Sequence, residues 1–306
     1  TYSITAKTIN LDDFEILDKL NEVYDGTAKT LDVPATLPEG VTSVTFTYTD
    51  KDGNTVVDNS PIDAGEYTAN VTITPNSNYK LPEPEPTYTG TLTIAPKALT
   101  VTLNDTAKTE SIYGEEIASY VKDTDFTVEG IVSRDEAKDL GITVKAYNTY
   151  TEANKVELQA GDNVGTYPIK AEVADSNYTV VFADKTYSVV AKVIDLSNLE
   201  ISNTTKTYTG EKQSVTISLK DADLGMPEGL SANVVYRYEQ AGTEVDPINV
   251  GTYTVSAILS TKNDNYALPA DYSITGTLTI TPKALEITLN DTAKTSSIYG
   301  EEIASY

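Results

Sequence analysis

Apolar and polar residues alternate with period two along most of this chain. The runs Val41 to Tyr48 (VTSVTFTY), Leu99 to Leu103 (LTVTL), Ile142 to Tyr147 (ITVKAY), Val234 to Tyr238 (VVYRY), Tyr253 to Leu259 (YTVSAIL) and Thr277 to Ile280 (TLTI) are rich in Thr, Val, Ile and Tyr. Successive side chains of an extended backbone point to opposite faces, so each run predicts a half-buried strand. Turn-forming clusters such as Asp50-Lys51-Asp52-Gly53-Asn54 and Pro227-Glu228-Gly229 separate the runs. One segment breaks the pattern: Ser133-Arg134-Asp135-Glu136 has the spacing of a capping box and Gly141 follows Leu140, which predicts one short helix.

The pattern repeats on a larger scale. Residues 97 to 120, KALTVTLNDTAKTESIYGEEIASY, return as residues 283 to 306 with 21 of 24 positions identical. Within that period the same marks occur three times: Gly65-Glu66-Tyr67 before Asn78-Tyr79, Gly165-Thr166-Tyr167 before Asn177-Tyr178, and Gly251-Thr252-Tyr253 before Asn265-Tyr266. The period therefore holds two related domains, A and B. Residues 1–10 read as the closing strand of a preceding B domain, 11–96 as A, 97–194 as B, 195–282 as a second A, and 283–306 as the opening of a further, incomplete B. Short strands in units of this size predict all-β, tandem β-sandwiches, with the helix in B, and the Gly-x-Tyr marks resemble the tyrosine corner of immunoglobulin-like sandwiches. Tyr67, Tyr167 and Tyr253 are the expected tyrosine corners, each hydroxyl bonding nearby backbone.

The seams Thr5-Ala6-Lys7, Ala95-Pro96-Lys97, Val190-Ala191-Lys192 and Thr281-Pro282-Lys283 contain no Gly- or Ser-rich spacer. Joins without slack predict domains laid end to end as a rod, each adding about 30 to 40 Å. The incomplete B at 283–306 would expose strand edges, so it is expected to pair with another chain or to be completed elsewhere, including in a fibre of several copies.

Composition removes most chemistry. The chain has no Cys, His or Trp, which excludes disulfides, thiolate nucleophiles, His- or Cys-based triads and zinc sites of those residues. A net charge of −24 opposes binding to nucleic acid or anionic membrane, and no run approaches the length of a membrane span. Only oxygen ligands remain, so calcium is the metal to consider. The Asp50 loop departs from an EF-hand, with Gly53 too early and Pro61 at the twelfth position, and reads as a hairpin turn. Asp123 with Asp125 and Asp221 with Asp223 are the remaining calcium candidates. Glu115-Glu116 cannot flank one bond, because neighbours on a strand face opposite ways. The sequons at Asn104 and Asn290 carry no weight in so Thr-rich a chain. One covalent possibility stays open: a Lys–Asn isopeptide bond in each domain, pairing Lys7 with Asn78, Lys97 with Asn177 and Lys192 with Asn265.

Lys19 to Gly26 (KLNEVYDG) and Lys206 to Gly210 (KTYTG), with the Gly-x-Tyr and Asn-Tyr marks and the closing Gly-Thr-Leu-Thr-Ile-x-Pro-Lys, resemble the YDG type of MBG domain. Domain B, with Ile112-Tyr113-Gly114 and Val128-Glu129-Gly130-Ile131-Val132, is similar to the YGX type of the same group. The resemblance implies immunoglobulin-like repeats of a large bacterial surface protein, wall-anchored through other regions. It leaves two roles open: a non-enzymatic stalk whose partners are neighbouring repeats, or adhesive modules that recognise mucin or another host glycan or glycoprotein. Thr209 stands where the YDG motif has Asp, so that acid is not expected to be catalytic.

Overall fold

The computed structural model describes residues 2–12, 14, 19–288 and 296–302. They form all-β, immunoglobulin-like sandwich domains, and the chain divides into two compact units at the Val190–Ala191 peptide. The first unit holds A and B; the second holds the other A domain and the residues after it.

In the first A domain a four-stranded sheet runs in the order Lys19–Val23, Thr89–Ala95, Gly65–Pro75, Val41–Asp50. The first pair is parallel and the others antiparallel. Alternation places Val44 and Tyr48 inward on one strand, and Ala69 and Ile73 on its neighbour. Domain B packs a five-stranded sheet, Lys155–Glu157, Thr143–Tyr150, Gly165–Glu172, Lys185–Val190, Glu110–Ile112, over a three-stranded one, Tyr178–Phe182, Lys97–Leu103, Phe126–Glu129. Val101, Leu103 and Phe126 from the small sheet meet Val144, Ile169, Tyr187 and Val189 from the large one. Each such buried side chain stabilises the fold by about 1.5–3 kcal/mol.

The second unit repeats the A plan. Its five-stranded sheet runs Thr204–Thr207, Thr275–Thr281, Gly251–Ile258, Val235–Gln240, Thr243–Glu244, again with the first pair parallel. Tyr253, Val255, Leu278 and Ile280 form the centre of its core.

Three expectations need correction. Lys7–Thr8 pairs in parallel with Tyr79–Lys80, and Ile9 and Leu11 are buried in the A core, so this strand opens A instead of closing an earlier B. Lys192–Val193 pairs with Tyr266–Ala267 in the same way, which moves the start of the second A from residue 195 to the seam lysine. At the first three seams an alanine or proline sits just before the first ladder hydrogen bond, donated by the seam lysine amide, and that bond decides the boundary. The short helix expected in B is also cut down: Ser133–Asp135 forms a single 3-10 turn, without a side-chain cap from its N-cap residue Val132. The Asp135 carboxylate is drawn inward by partners from outside the segment, described below.

Candidate functional site

Each Gly-x-Tyr mark builds the same corner. The Tyr67 hydroxyl donates to the Asp63 carbonyl at 2.8 Å, Tyr167 to Asn163 at 2.6 Å and Tyr253 to Asn249 at 2.7 Å. The glycine two residues earlier lies against the ring: a Cβ on Gly65 or Gly165 would stand in ordinary van der Waals contact with ring atoms, at 3.6 or 3.4 Å.

The most developed polar cluster lies where the first A meets B. Tyr24, from the Tyr24-Asp25-Gly26 motif, is 1% exposed and Asp135 of B is 0% exposed. The Tyr24 hydroxyl donates to Asp135 Oδ2 at 2.5 Å, and the Tyr178 hydroxyl donates to the same oxygen at 2.8 Å. Lys138 Nζ forms an ion pair with Oδ1 at 2.5 Å. The two rings meet edge to face, 5.4 Å between centroids. Burial by itself would raise the Asp135 pKa. The hydrogen bonds from Lys138, Tyr24 and Tyr178 outweigh it and hold the group at about 2. Burial, reinforced by the Asp135 charge, raises the Tyr24 phenol and pushes Tyr178 up to about 12, although the Val132 amide bonded to the Tyr178 oxygen acts the other way.

The cluster is flanked by further contacts across the same seam. Asn177 accepts from the Ala64 amide at 2.7 Å and donates to Asp63 Oδ1 at 3.1 Å. Arg134 donates to the Gly26 carbonyl at 3.3 Å. Gly26 has φ +79°, and a Cβ there would touch Arg134 and Val132. Asp25 stays outside the joint and holds the turn, accepting from the Thr27 amide and from Lys29 Nζ at 2.6 Å. Beneath the polar groups, Leu92 and Ile94 of A and Leu99, Val132 and Leu140 of B belong to one continuous apolar core.

The tyrosine of each Asn-Tyr mark meets a carboxylate. Tyr79 donates to Glu39 at 2.5 Å in the first A, and Tyr266 bonds Glu228 in the second. Those bonds, followed by Lys7 and Lys192 respectively, lower both glutamates. Glu39 remains 76% exposed, whereas Asp135 is buried beneath Tyr24. Sequence reasoning saw the recurring Asn-Tyr and YDG marks but missed Asp135. Its only signal was an acid beside a presumed helix start.

The seam lysines and the Asn-Tyr asparagines do adjoin, through the backbone. The amides of Lys7, Lys97 and Lys192 donate to the carbonyls of Asn78, Asn177 and Asn265 at 2.9–3.0 Å, opening each parallel pairing. In each pair at least one side chain is committed elsewhere: Lys7 to Glu39, Asn177 to Asp63 and Ala64, and Lys192 to Glu228. The intact mass is therefore expected to equal that calculated from sequence; a loss of one ammonia per domain by mass spectrometry would establish the isopeptide bonds instead.

The calcium candidates serve their own turns. Asp125 accepts from the Val121 amide at 2.8 Å, Asp221 accepts from the Asp223 amide at 3.0 Å, and Asp123 holds a left-handed turn position at φ +64°. Among the described residues no group of three or more acidic side chains converges on one point. Asp50 accepts from the amides of Asp52 and Asn54 in its hairpin. Asn290 lies outside the described residues.

A family profile described as MBG domain matches residues 16–98 and 197–284, together more than half of the chain. The chain belongs to the MBG domain family. Both matched regions are A domains, so the tyrosine that enters the joint is part of an MBG domain, and B lies between the two. Comparison with curated proteins found no match. Among solved structures, the chain is similar to Bacteroides ovatus SGBP-B of the mixed-linkage glucan utilization locus, in complex with a mixed-linkage heptasaccharide. That likeness has 15% identity and TM-score 0.19, covering 87% of this chain and 67% of that one. It is also similar to the fibronectin(III)-like modules of Clostridium thermocellum CbhA, at 16% identity, 62% and 98% coverage and TM-score 0.21. A third likeness is to the N-terminal four Ig domains of Dscam1 isoform 8.4, at 10% identity, 88% and 72% coverage and TM-score 0.24.

Proposed function

We propose that these MBG repeats are a non-enzymatic spacer: stalk domains of a large bacterial surface protein, in which the first A and B are fixed to each other by their joint. The joint between the first A and B carries this reading. A hinge would be expected to join two closed cores by a solvated linker; here one apolar core crosses the seam, and a buried carboxylate ties a tyrosine of each domain. The investment of buried polar groups at the seam, where each must be satisfied, favours a fixed interdomain angle over a mobile one. Exposed aromatic side chains are limited, among the described residues, to Tyr2, Tyr208 and Tyr299, on separate segments, which offers no stacking platform for a sugar. The paired rings Tyr147 and Tyr150 are not free platforms either: Tyr147 is buried and Lys155 covers Tyr150.

A mucin and glycan array, probed with the full chain in calcium and again in chelator, tests the proposal. No saturable binding is expected in either condition. Saturable binding would replace the spacer reading with that of an adhesive module.

A further inference from the structure

We propose that the end of the second A domain that carries Tyr208 is a socket for another B-type domain, which would bury Tyr208 as B buries Tyr24. The proposal rests on the spacer reading and names the partner that continues it.

The two A domains build this end alike. The Tyr24 amide donates to the Ala95 carbonyl at 2.9 Å, and the Tyr208 amide to Thr281 at 2.8 Å. In the following turn Asp25 accepts from the Thr27 amide and the Lys29 side chain. Thr209, although it replaces the acid, accepts from the Glu211 amide at 3.2 Å and from Gln213 Nε2 at 2.6 Å. The Lys29 amide donates to Pro61 and the Gln213 amide to Pro247. Gly26 and Gly210 share a left-handed backbone, at φ +79° and +82°. The turn is thus conserved in geometry while its acid is exchanged, so what the two copies have in common is the presentation of the tyrosine.

They differ in what covers that tyrosine. Tyr208 is 37% exposed against 1% for Tyr24, and Val250, at the position of Ala64, is 47% exposed. A Cβ on Gly26 would meet Val132 and Arg134 of B; on Gly210 it would come near only the hydroxyl of Tyr208 itself. The occupant is indicated by the chain. Pro282-Lys283 leads out of Thr275–Thr281 as Pro96-Lys97 leads out of Thr89–Ala95, and residues 283 onward spell the opening of B. Yet residues 283–288 are exposed and belong to no strand. Their counterparts in B are held between Tyr178–Phe182 and Phe126–Glu129, segments with no second copy in the 306 residues. A complete B-type domain would supply those strands, and with them the turn that carries Asp135 and the tyrosine that shares it.

The test continues the full chain beyond Tyr306 with residues 121–282 of its own sequence, which gives the order A, B, A, B, A. The added B then has an A on either side, as the first B has. Hydrogen exchange is read at the amides of residues 207–211 and across the added B. Protection at 207–211 is expected to rise by about tenfold or more over the original chain, and to return to its original level when Tyr208→Ala is introduced into the extended chain. Unchanged exchange at 207–211 beside a protected added B would overturn the proposal. So would an added B that stays unprotected, since the same sequence folds behind the first A. Neither result depends on glycan binding, so failure here is distinguishable from failure of the spacer reading.

Discussion

Asp135→Ala is expected to destabilise the first unit by roughly 3–5 kcal/mol, the cost of removing one partner from a buried charged network. Two phenol hydroxyls, Tyr24 and Tyr178, would lose their acceptor at a site closed to water, and Lys138 its ion pair. Because Tyr24 and Asp135 come from different domains, the loss falls on the seam. Thermal unfolding of the first unit should change from a joint transition of A and B toward two separate ones. Asp135→Asn keeps the shape and one carbonyl acceptor and should cost less, about 1–3 kcal/mol. The two variants also fix the sign of the pH dependence. The Asp135 pKa is depressed from an ordinary 3.8 to about 2, so its contribution is complete above the ordinary value and disappears as pH falls through about 2. Scanning calorimetry between pH 5 and pH 2 should show that acid-dependent loss in the parent and a smaller one in Asp135→Asn. A parent and an Asn variant with identical pH profiles would mean that the carboxylate does not hold the joint.

The second large effect is expected in the other unit. Tyr253→Ala should cost roughly 3–5 kcal/mol, the range for emptying a buried aromatic site. Its ring is 1% exposed at the centre of the core with Val255, Leu278 and Ile280, and its hydroxyl closes the corner on Asn249. Tyr253→Phe keeps the ring and removes only that bond, for about 1 kcal/mol. Urea titration of both variants separates the ring from the hydroxyl: near-equal losses would mean that the corner hydrogen bond dominates the site, whereas the packing account needs the Ala variant to be far the weaker.

Much of the fold is legible in the sequence because its determinants are local or periodic. Alternation placed the strands at Val41–Asp50, Gly251–Ile258 and Thr275–Thr281 to within a few residues. The Gly-x-Tyr mark pointed to the turn on which its hydroxyl closes. Asp50 followed by Asp, Gly and Asn specified a hairpin turn whose hydrogen bonds lie within five residues. What escaped was the joint. Asp135 sits 111 residues from Tyr24 and 43 from Tyr178, and a local reading of Ser-x-x-Glu favoured a helix cap. Asn-Tyr recurs in all three domains, but the repeat shows only that the pair is used, not that Tyr178 shares a carboxylate with the domain before it.

The repeat itself divides the two kinds of information. The Glu115 amide donates to the Ile112 carbonyl at 2.9 Å and its carboxylate accepts from the Ile112 amide; Glu301 and Ile298 form the same turn, at 3.0 Å, in the second copy. Four residues contain every donor and acceptor that turn needs, so the sequence by itself determines it wherever it occurs. Lys97–Leu103 is a central strand with one face buried, while residues 283–288, which repeat its opening with two changes in six, lie exposed and unpaired with any strand. A strand's hydrogen bonds and its apolar face are satisfied only by other segments, and here those segments are residues 126–129 and 178–182. Local hydrogen bonding fixed the turns and periodicity fixed the candidate strands; only the tertiary structure decided which strands formed, and which acid would be buried between two domains.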